Sequence, residues 1–333
     1  MCTLGHLRAG LGKWAPRKNR DHPKWARYAV IFDCETRIDL RQELTFGVFR
    51  VCELRGAIYV CIEDGLFAPD NLPTKERKVL EDYTDHHPSD IAPEERGPAT
   101  KLHLCSYSGF VEKVFYKYAH QGAMICGFNL PFDLSRIAKK WSEGHKNEWS
   151  LQLMESANGR NSNPLYPNIL IEPLDSKKAF IRFAAQGIPS GCTSSNIGQA
   201  RFFDLRTALW GLFNKSYSLK SACDNEKGPF KGRNLPQKID HKPIGRVTLK
   251  EIEYALGDGR CTEGLLNEIK RAFDMHSGID LDPDKLYSQA TMAKAYLEAQ
   301  QIKKPSIKFS VPNKIHAIAM NAYAGAVQKR RCV

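Results

Sequence analysis

Tyr28-Ala-Val-Ile-Phe-Asp-Cys-Glu-Thr36 is the stretch on which the reading of this chain turns. Tyr28 to Phe32 form an unbroken apolar run, the pattern of a buried strand. Two carboxylates follow, at Asp33 and Glu35. Residues i and i+2 of a strand face the same side. The two acids therefore project together from the strand end and repel each other unless a cation lies between them. Hard oxygen ligands of this kind select Mg²⁺ or Mn²⁺. Taken alone, Asp-x-Glu is better explained as an acidic strand end in solvent. Its setting beside an apolar core is what argues otherwise.

Outward from this strand, Leu44 to Leu54 reads as a second strand and Ala57 to Ile62 as a third, joined by the Arg55-Gly56 turn. Together they predict an antiparallel meander. Residues 68–100 are rich in Pro, Asp and Glu and read as a surface excursion with a short helix near 75–83. The His86-His87 pair there reads as solvated. Phe110 to Gln121 is helical in pattern. Ala123 to Phe128 is a further buried strand, and it runs into Asn129-Leu-Pro-Phe-Asp133, where the period turns helical. Asn129 or Leu130 suits a cap and Pro131 the first turn. By itself, Asp133 is an ordinary acid at a helix start.

Residues 168–174 and 178–185 alternate like a hairpin, and Gln199 to Leu205 reads as another strand. Residues 225–246 are rich in Pro, Lys and Gly and read as loop. Thr248 and Glu251 have capping-box spacing and open a helix that carries Tyr254 and Asp258. At i and i+4 these two side chains share one helical face. The pattern continues to Leu266, a further helix spans 283–301, and a basic tail runs from 302 to 333.

The chain has 333 residues, 42% of them hydrophobic and 26% charged, which is ample for a sizeable core and argues against global disorder. The net charge of +12 favours polyanionic partners, although a basic surface without a partner is equally ordinary. None of the ten cysteines is in C-x-x-C spacing, which disfavours a zinc ribbon; their spread suits reduced thiols and a cytoplasmic location. No apolar run of spanning length is present, so no membrane segment is expected.

Acid-x-acid on a strand, Asn-x-x-Phe-Asp at a strand-to-helix turn and Tyr-x-x-x-Asp on a late helix form a demanding conjunction. In these motifs the chain resembles the DEDD exonuclease superfamily, tyrosine branch, and within it the proofreading domain of family B DNA polymerases. The stretches that carry the likeness are Phe32-Asp-Cys-Glu-Thr36, Gly127-Phe-Asn-Leu-Pro-Phe-Asp133 and Tyr254-Ala-Leu-Gly-Asp258, with Phe202-Phe-Asp-Leu205 and Tyr217-Ser-Leu-Lys220 between the last two. Tyr287 to Leu297 and Ala319 to Ala326 are similar to the lead-in to a polymerase palm, with Ala326 and Val327 in place of the usual Gly and Arg.

The resemblance implies an α/β, RNase H-like mixed sheet with an antiparallel meander, flanked by helices. It divides the chain into a basic arm (1–27), an exonuclease domain (28–275) and a helical lead-in (276–333). It implies 3′–5′ hydrolysis at single-stranded DNA 3′ ends by two divalent ions, Mg²⁺ or Mn²⁺, held by Asp33, Glu35, Asp133 and Asp258, with Tyr254 orienting the attacking water. It further implies that Thr36, Asn129, Phe132, Ser218 and Leu219 hold the terminal nucleotides. Lys238 is a candidate for a lysine near the phosphate, and Phe132 and Leu219 suit ordinary core equally well. The expected form is a monomer that works with replication proteins. Two alternatives stay open: an exoribonuclease of the same superfamily, and a non-catalytic RNase H-like nucleic-acid-binding domain.

Overall fold

The acid-bearing stretch becomes β1 (Tyr28–Thr36), the middle of a mixed sheet. In the computed structural model, residues 24–91, 102–144, 147–155, 165–175, 178–184 and 197–302 are described. β1 pairs antiparallel with β2 (Leu44–Arg55), and β2 pairs antiparallel with β3 (Ile58–Ala68), which completes the expected meander. On its other edge β1 pairs parallel with β5 (Met124–Gly127), and β5 pairs parallel with β10 (Arg201–Asp204). β4 (His103–Ser106) adds a parallel edge strand beside β3. The six-stranded order is β10-β5-β1-β2-β3-β4. This helix-flanked mixed sheet is α/β and compatible with an RNase H-like fold.

Two apolar cores lie on opposite faces of the sheet. Val30, Phe32 and Cys34 of β1 pack in one, with Phe110 and Phe115 from a helical run that is α-helical at Tyr107–Phe110, π-helical at Val111–Tyr116 and α-helical at Lys117–Ala119, here α2. Phe46 and Val48 of β2 pack in the other, against α1 (Thr74–His86) and Ile252, Ala255 and Leu256 of α6 (Leu249–Asp274). Cys34 pairs across the sheet with Gly47. A Cβ at Gly47 would stand 2.2 Å from the Phe67 ring and 2.8 Å from the Asp33 carbonyl oxygen, so only glycine lets these groups close over the end of β1.

Beyond β5 the chain enters α3 (Leu130–Arg136), and beyond β10 it enters α4 (Leu205–Phe213) and α5 (Leu219–Ala222). Between α3 and β10, β6 (Lys140–Glu143), β7 (Trp149–Gln152), β8 (Ile169–Pro173) and β9 (Ala179–Phe183) form a separate antiparallel sheet in that order. A 3₁₀ turn at Pro283–Lys285 precedes α7 (Gln289–Ala299). Of the described residues, 24–277 and 281–292 belong to one compact unit and 278–280 and 293–302 to a second. No helix among the described residues is long and apolar enough to cross a membrane.

Several expectations shift. β3 runs to Ala68 rather than Ile62, because Asp64 is buried against Arg50 rather than turned to solvent. β4, β6 and β7 were not expected; β6 is exposed at every residue, so no apolar alternation betrays it. The helix expected over 283–301 starts only at Gln289. The arm ends before Trp25, which is buried edge-on against Phe203 and Phe273 and donates to Asp274 at 2.8 Å. The boundary at 276 also moves: Leu286 closes so tightly on Gly211 that a Cβ there would meet its Cγ at 2.6 Å. The arm residues 1–23 and the lead-in stretch Ala319 to Ala326 lie outside the described residues.

Asp204, the last residue of β10, holds two helix starts together. Its Oδ1 accepts the backbone N–H groups of Asn129 (2.8 Å) and Leu130 (3.1 Å), and its Oδ2 accepts the Thr207 N–H (3.1 Å) and hydroxyl (2.6 Å). Asn129 itself sits at φ 73° and offers no side-chain cap to α3, so Asp204 supplies what its own side chain does not. We expect Asp204→Ala to strand these donors and cost about 3 kcal/mol. A fall in the urea midpoint at constant m would show this; an unchanged midpoint would contradict it.

Candidate active site

β1 aims its acids by alternation. Its residues 30, 32 and 34 fill one core, so Asp33 and Glu35 face the other side. Their cross-strand partners are Val48 and Phe46, which pack with α6. The two acids therefore look toward α6. That helix begins at Thr248, whose side chain accepts the Glu251 N–H at 3.3 Å. The reciprocal arm of the expected capping box is replaced: the Glu251 carboxylate pairs with His241 at 2.7 Å and accepts the Ile244 N–H at 2.8 Å. Glu251 thus anchors the preceding loop to the helix.

Two turns into α6, Tyr254 and Asp258 share the face turned to β1, as their spacing required. The anchored loop delivers Lys238. Its ammonium pairs with Asp258 Oδ2 and lies 4.4 Å from the centre of the Tyr254 ring. The His241 ring meets Tyr254 edge-on at 5.3 Å. Tyr254 is thereby fixed between a cation and an imidazole. Its hydroxyl is pushed up to about 12, first by burial. Asp258 Oδ1 is buried and has no hydrogen-bond partner.

Asp133 reaches the site from α3. β1 pairs with β5 only as far as Ile31, which leaves the Cys34 N–H beyond that ladder. Asp133 Oδ1 accepts this N–H at 3.1 Å, and the Cys34 thiol donates to the Asp133 carbonyl at 3.7 Å. Asp133 is thus tied to the backbone between the two β1 acids.

Crowding and burial act on all four acids. Asp33 is pushed up to about 7, first by burial and then by Asp258; Lys238 opposes the shift. Glu35 is pushed up to about 8 by burial, Asp33 and Asp258. Asp133 is raised by burial and Asp33, and Asp258 by burial, against the pull of Lys238. One ammonium does not balance this much negative charge. The donor set is all oxygen, and one oxygen of Asp258 is buried with nothing to bind. Both features fit a hard divalent cation.

A cleft of about 460 Å³ opens onto Asp33, Asp258 and Lys238, and Ser218 and Leu219 stand in its wall. Ser218 also caps α5, and Leu219 is mostly buried. Asn129 is tied in through Arg206, whose guanidinium donates to Asn129 Oδ1 at 3.2 Å. Thr36 ends β1 at a register shift, and the Phe132 ring lies under Arg136; neither lines the cleft.

Arg206 also lines the cleft, and its Nε is buried without a partner. Neither Arg206 nor His241 was singled out from sequence, and Glu251 was singled out only as half of a capping box. Asp204-Leu-Arg-Thr207 carries an N-cap signal that would have flagged the helix bearing Arg206. His241 and Glu251 meet only through the loop fold. Among the described residues, three side-chain ligand atoms come within 4.8 Å of one another at Cys52, Cys61 and Glu263. The four carboxylates are more widely spaced than such a trio. Arg50 donates to Glu263 at 2.7 Å and already supplies a positive charge at the sulfur-bearing trio.

The raised pKa values have a consequence for stability. Asp33 and Glu35 titrate near 7 and 8 when folded, against ordinary values of 3.8 and 4.5. The folded state therefore binds more protons than the unfolded one between about pH 4 and 8, and their contribution to stability is lost as pH rises through that window. In chelator at pH 8, Asp33→Asn is expected to melt about 2 °C or more above the parent, and near pH 4 the two should nearly coincide. Thermal melts would test this; a variant melting at or below the parent at pH 8 contradicts it. Comparison with protein-family models and with curated proteins returned no match.

Proposed function

We propose that this chain is a metal-dependent 3′–5′ exonuclease acting on single-stranded DNA ends, and the proofreading part of a family B DNA polymerase. The observation that carries the reading is the buried, partnerless oxygen of Asp258 facing two β1 acids pushed up to about 7 and 8. Asp33, Glu35 and Asp258 would hold divalent ions, Mg²⁺ or Mn²⁺, with Asp133 beside them. When bound, such ions polarise a phosphoryl oxygen and lower the pKa of water.

The remaining work belongs to the chain's own groups. The Tyr254 phenol stays protonated at neutral pH, so it donates to, and thereby orients, the attacking water. Lys238 holds Asp258 in place and adds positive charge where the phosphate gathers negative charge. Arg206, steadied by Asn129, presents N–H donors to a backbone phosphate in the cleft. A cleft of this size accepts a frayed strand end rather than a duplex, so the reading requires a single-stranded 3′ terminus.

The test is digestion of a 5′-labelled single-stranded DNA. The parent should give a ladder shortening from the 3′ end, dependent on Mg²⁺ or Mn²⁺ and preferred over RNA of the same sequence. Asp33→Ala should abolish the ladder while leaving binding in chelator largely intact. Tyr254→Phe and Lys238→Ala should lower kcat by roughly 10²-fold through loss of orientation. If Asp33→Ala digests as well as the parent, the reading is wrong.

A further inference from the structure

A second cleft is larger than the acid-lined one. A groove of about 1140 Å³ lies between the segment joining β1 to β2, the outer face of α3 and the β6–β7 hairpin. We propose that this groove binds single-stranded DNA and leads a strand to the carboxylate site. The course of the strand rests on the exonuclease reading; the binding itself does not.

The first observation is aromatic. Most large rings of this fold are buried, yet Trp141 on β6 and Trp149 on β7 are 67% and 39% exposed. Their rings meet edge-on at 5.2 Å and line the groove, whose floor includes Leu151 and Ile171. Paired indoles left open to water present flat faces on which bases stack without regard to sequence.

The second observation is charge. Four basic residues, Arg37, Arg41, Arg136 and Lys139, line the groove against two acids, Glu43 and Asp70. Arg37 is paired with Glu76 (2.5 Å) and Arg41 with Glu43 (3.3 Å). The excess therefore rests on Arg136 and Lys139, against Asp70 as the remaining lining acid. Arg136 is braced by the Gln42 carbonyl at 3.1 Å and lies 5.0 Å from the Phe132 ring centre; Lys139 lies 5.1 Å from the ring centre of Tyr107. Both cations are held in place in the same groove that the indoles line, an arrangement that suits a chain alternating phosphates and bases.

The third observation is continuity. α3 is only seven residues long, about 10 Å. Its Asp133 is tied to β1 in the carboxylate site, and Pro131, Ser135 and Arg136 line the groove. A strand crossing this one helix passes from indoles to acids.

The test uses the full chain carrying Asp33→Ala, in chelator, so that no strand is cut. Binding of fluorescent oligo(dT) of four and of fifteen nucleotides is measured across a salt series. Trp141→Ala with Trp149→Ala is expected to weaken the fifteen-mer about 10-fold or more and to leave the four-mer little changed. Arg136→Ala with Lys139→Ala should reduce the salt dependence of fifteen-mer binding by about one to two released ions. Quenching of tryptophan fluorescence by the fifteen-mer in a protein with both indoles intact reports the contact without any groove substitution, and an unchanged thermal melt of each double variant shows that it folds. Unchanged fifteen-mer affinity and salt slope in both double variants would overturn the proposal, as would equal loss for both lengths. A parent that digests no strand but keeps this length-dependent binding would sink the nuclease reading and leave the groove standing.

Discussion

Like charges buried together are the constraint around which this structure is arranged. Asp33 and Glu35 leave β1 on one face, Asp258 meets them from α6, and Asp133 bonds to the backbone between them. In water such acids would separate. Here β1 is locked between two apolar cores and α6 spans 26 residues across the sheet, so the acids stay where packing puts them. Lys238 supplies one counter-charge, and the Glu251 anchor keeps its loop in place. What remains unbalanced is the chemical potential of the site: it raises the carboxyl groups and leaves an oxygen of Asp258 bare.

Such a site lowers stability, and the surrounding structure offsets that. Asp204 satisfies both helix starts that frame the cleft, Arg50 gathers Asp64, Asp90 and Glu263 beneath α6, and Trp25 closes the far end of the same helix against Phe273. A functional site commonly breaks local rules that the rest of the fold obeys. The acids of β1 and α6 are such a break, set within otherwise well-satisfied packing.

Much of this was legible in the sequence, and the reasons differ by element. β1, β2, β5 and the β8–β9 hairpin announced themselves through apolar runs or alternation, and α6 through its cap and period. Asp33, Glu35 and the Tyr254–Asp258 pair followed from period-2 and period-3.6 geometry. β6 was silent because every residue faces solvent, and β4 because it is only four residues long with polar His103 and Ser106 at its ends. Asp204 and Arg206 acquire their roles only when β10 is laid beside β5, a non-local pairing. Lys238 was a candidate chosen from a lysine-rich loop. It became specific only once Glu251, expected to complete a capping box, turned instead to His241 and the Ile244 N–H. The Trp141–Trp149 pair needed the unexpected β6–β7 register to bring the two rings together.

The central claim is that the carboxylates of β1 and α6 hold a divalent cation. Its most direct test is Mn²⁺ binding to the metal-free chain, followed by calorimetry or electron spin resonance, in the parent, in Asp33→Asn and in Glu263→Gln. The account predicts that the parent binds Mn²⁺, that Asp33→Asn loses this binding and that Glu263→Gln, at the separate sulfur-bearing cluster, retains it. Binding that survives Asp33→Asn and disappears with Glu263→Gln would contradict it.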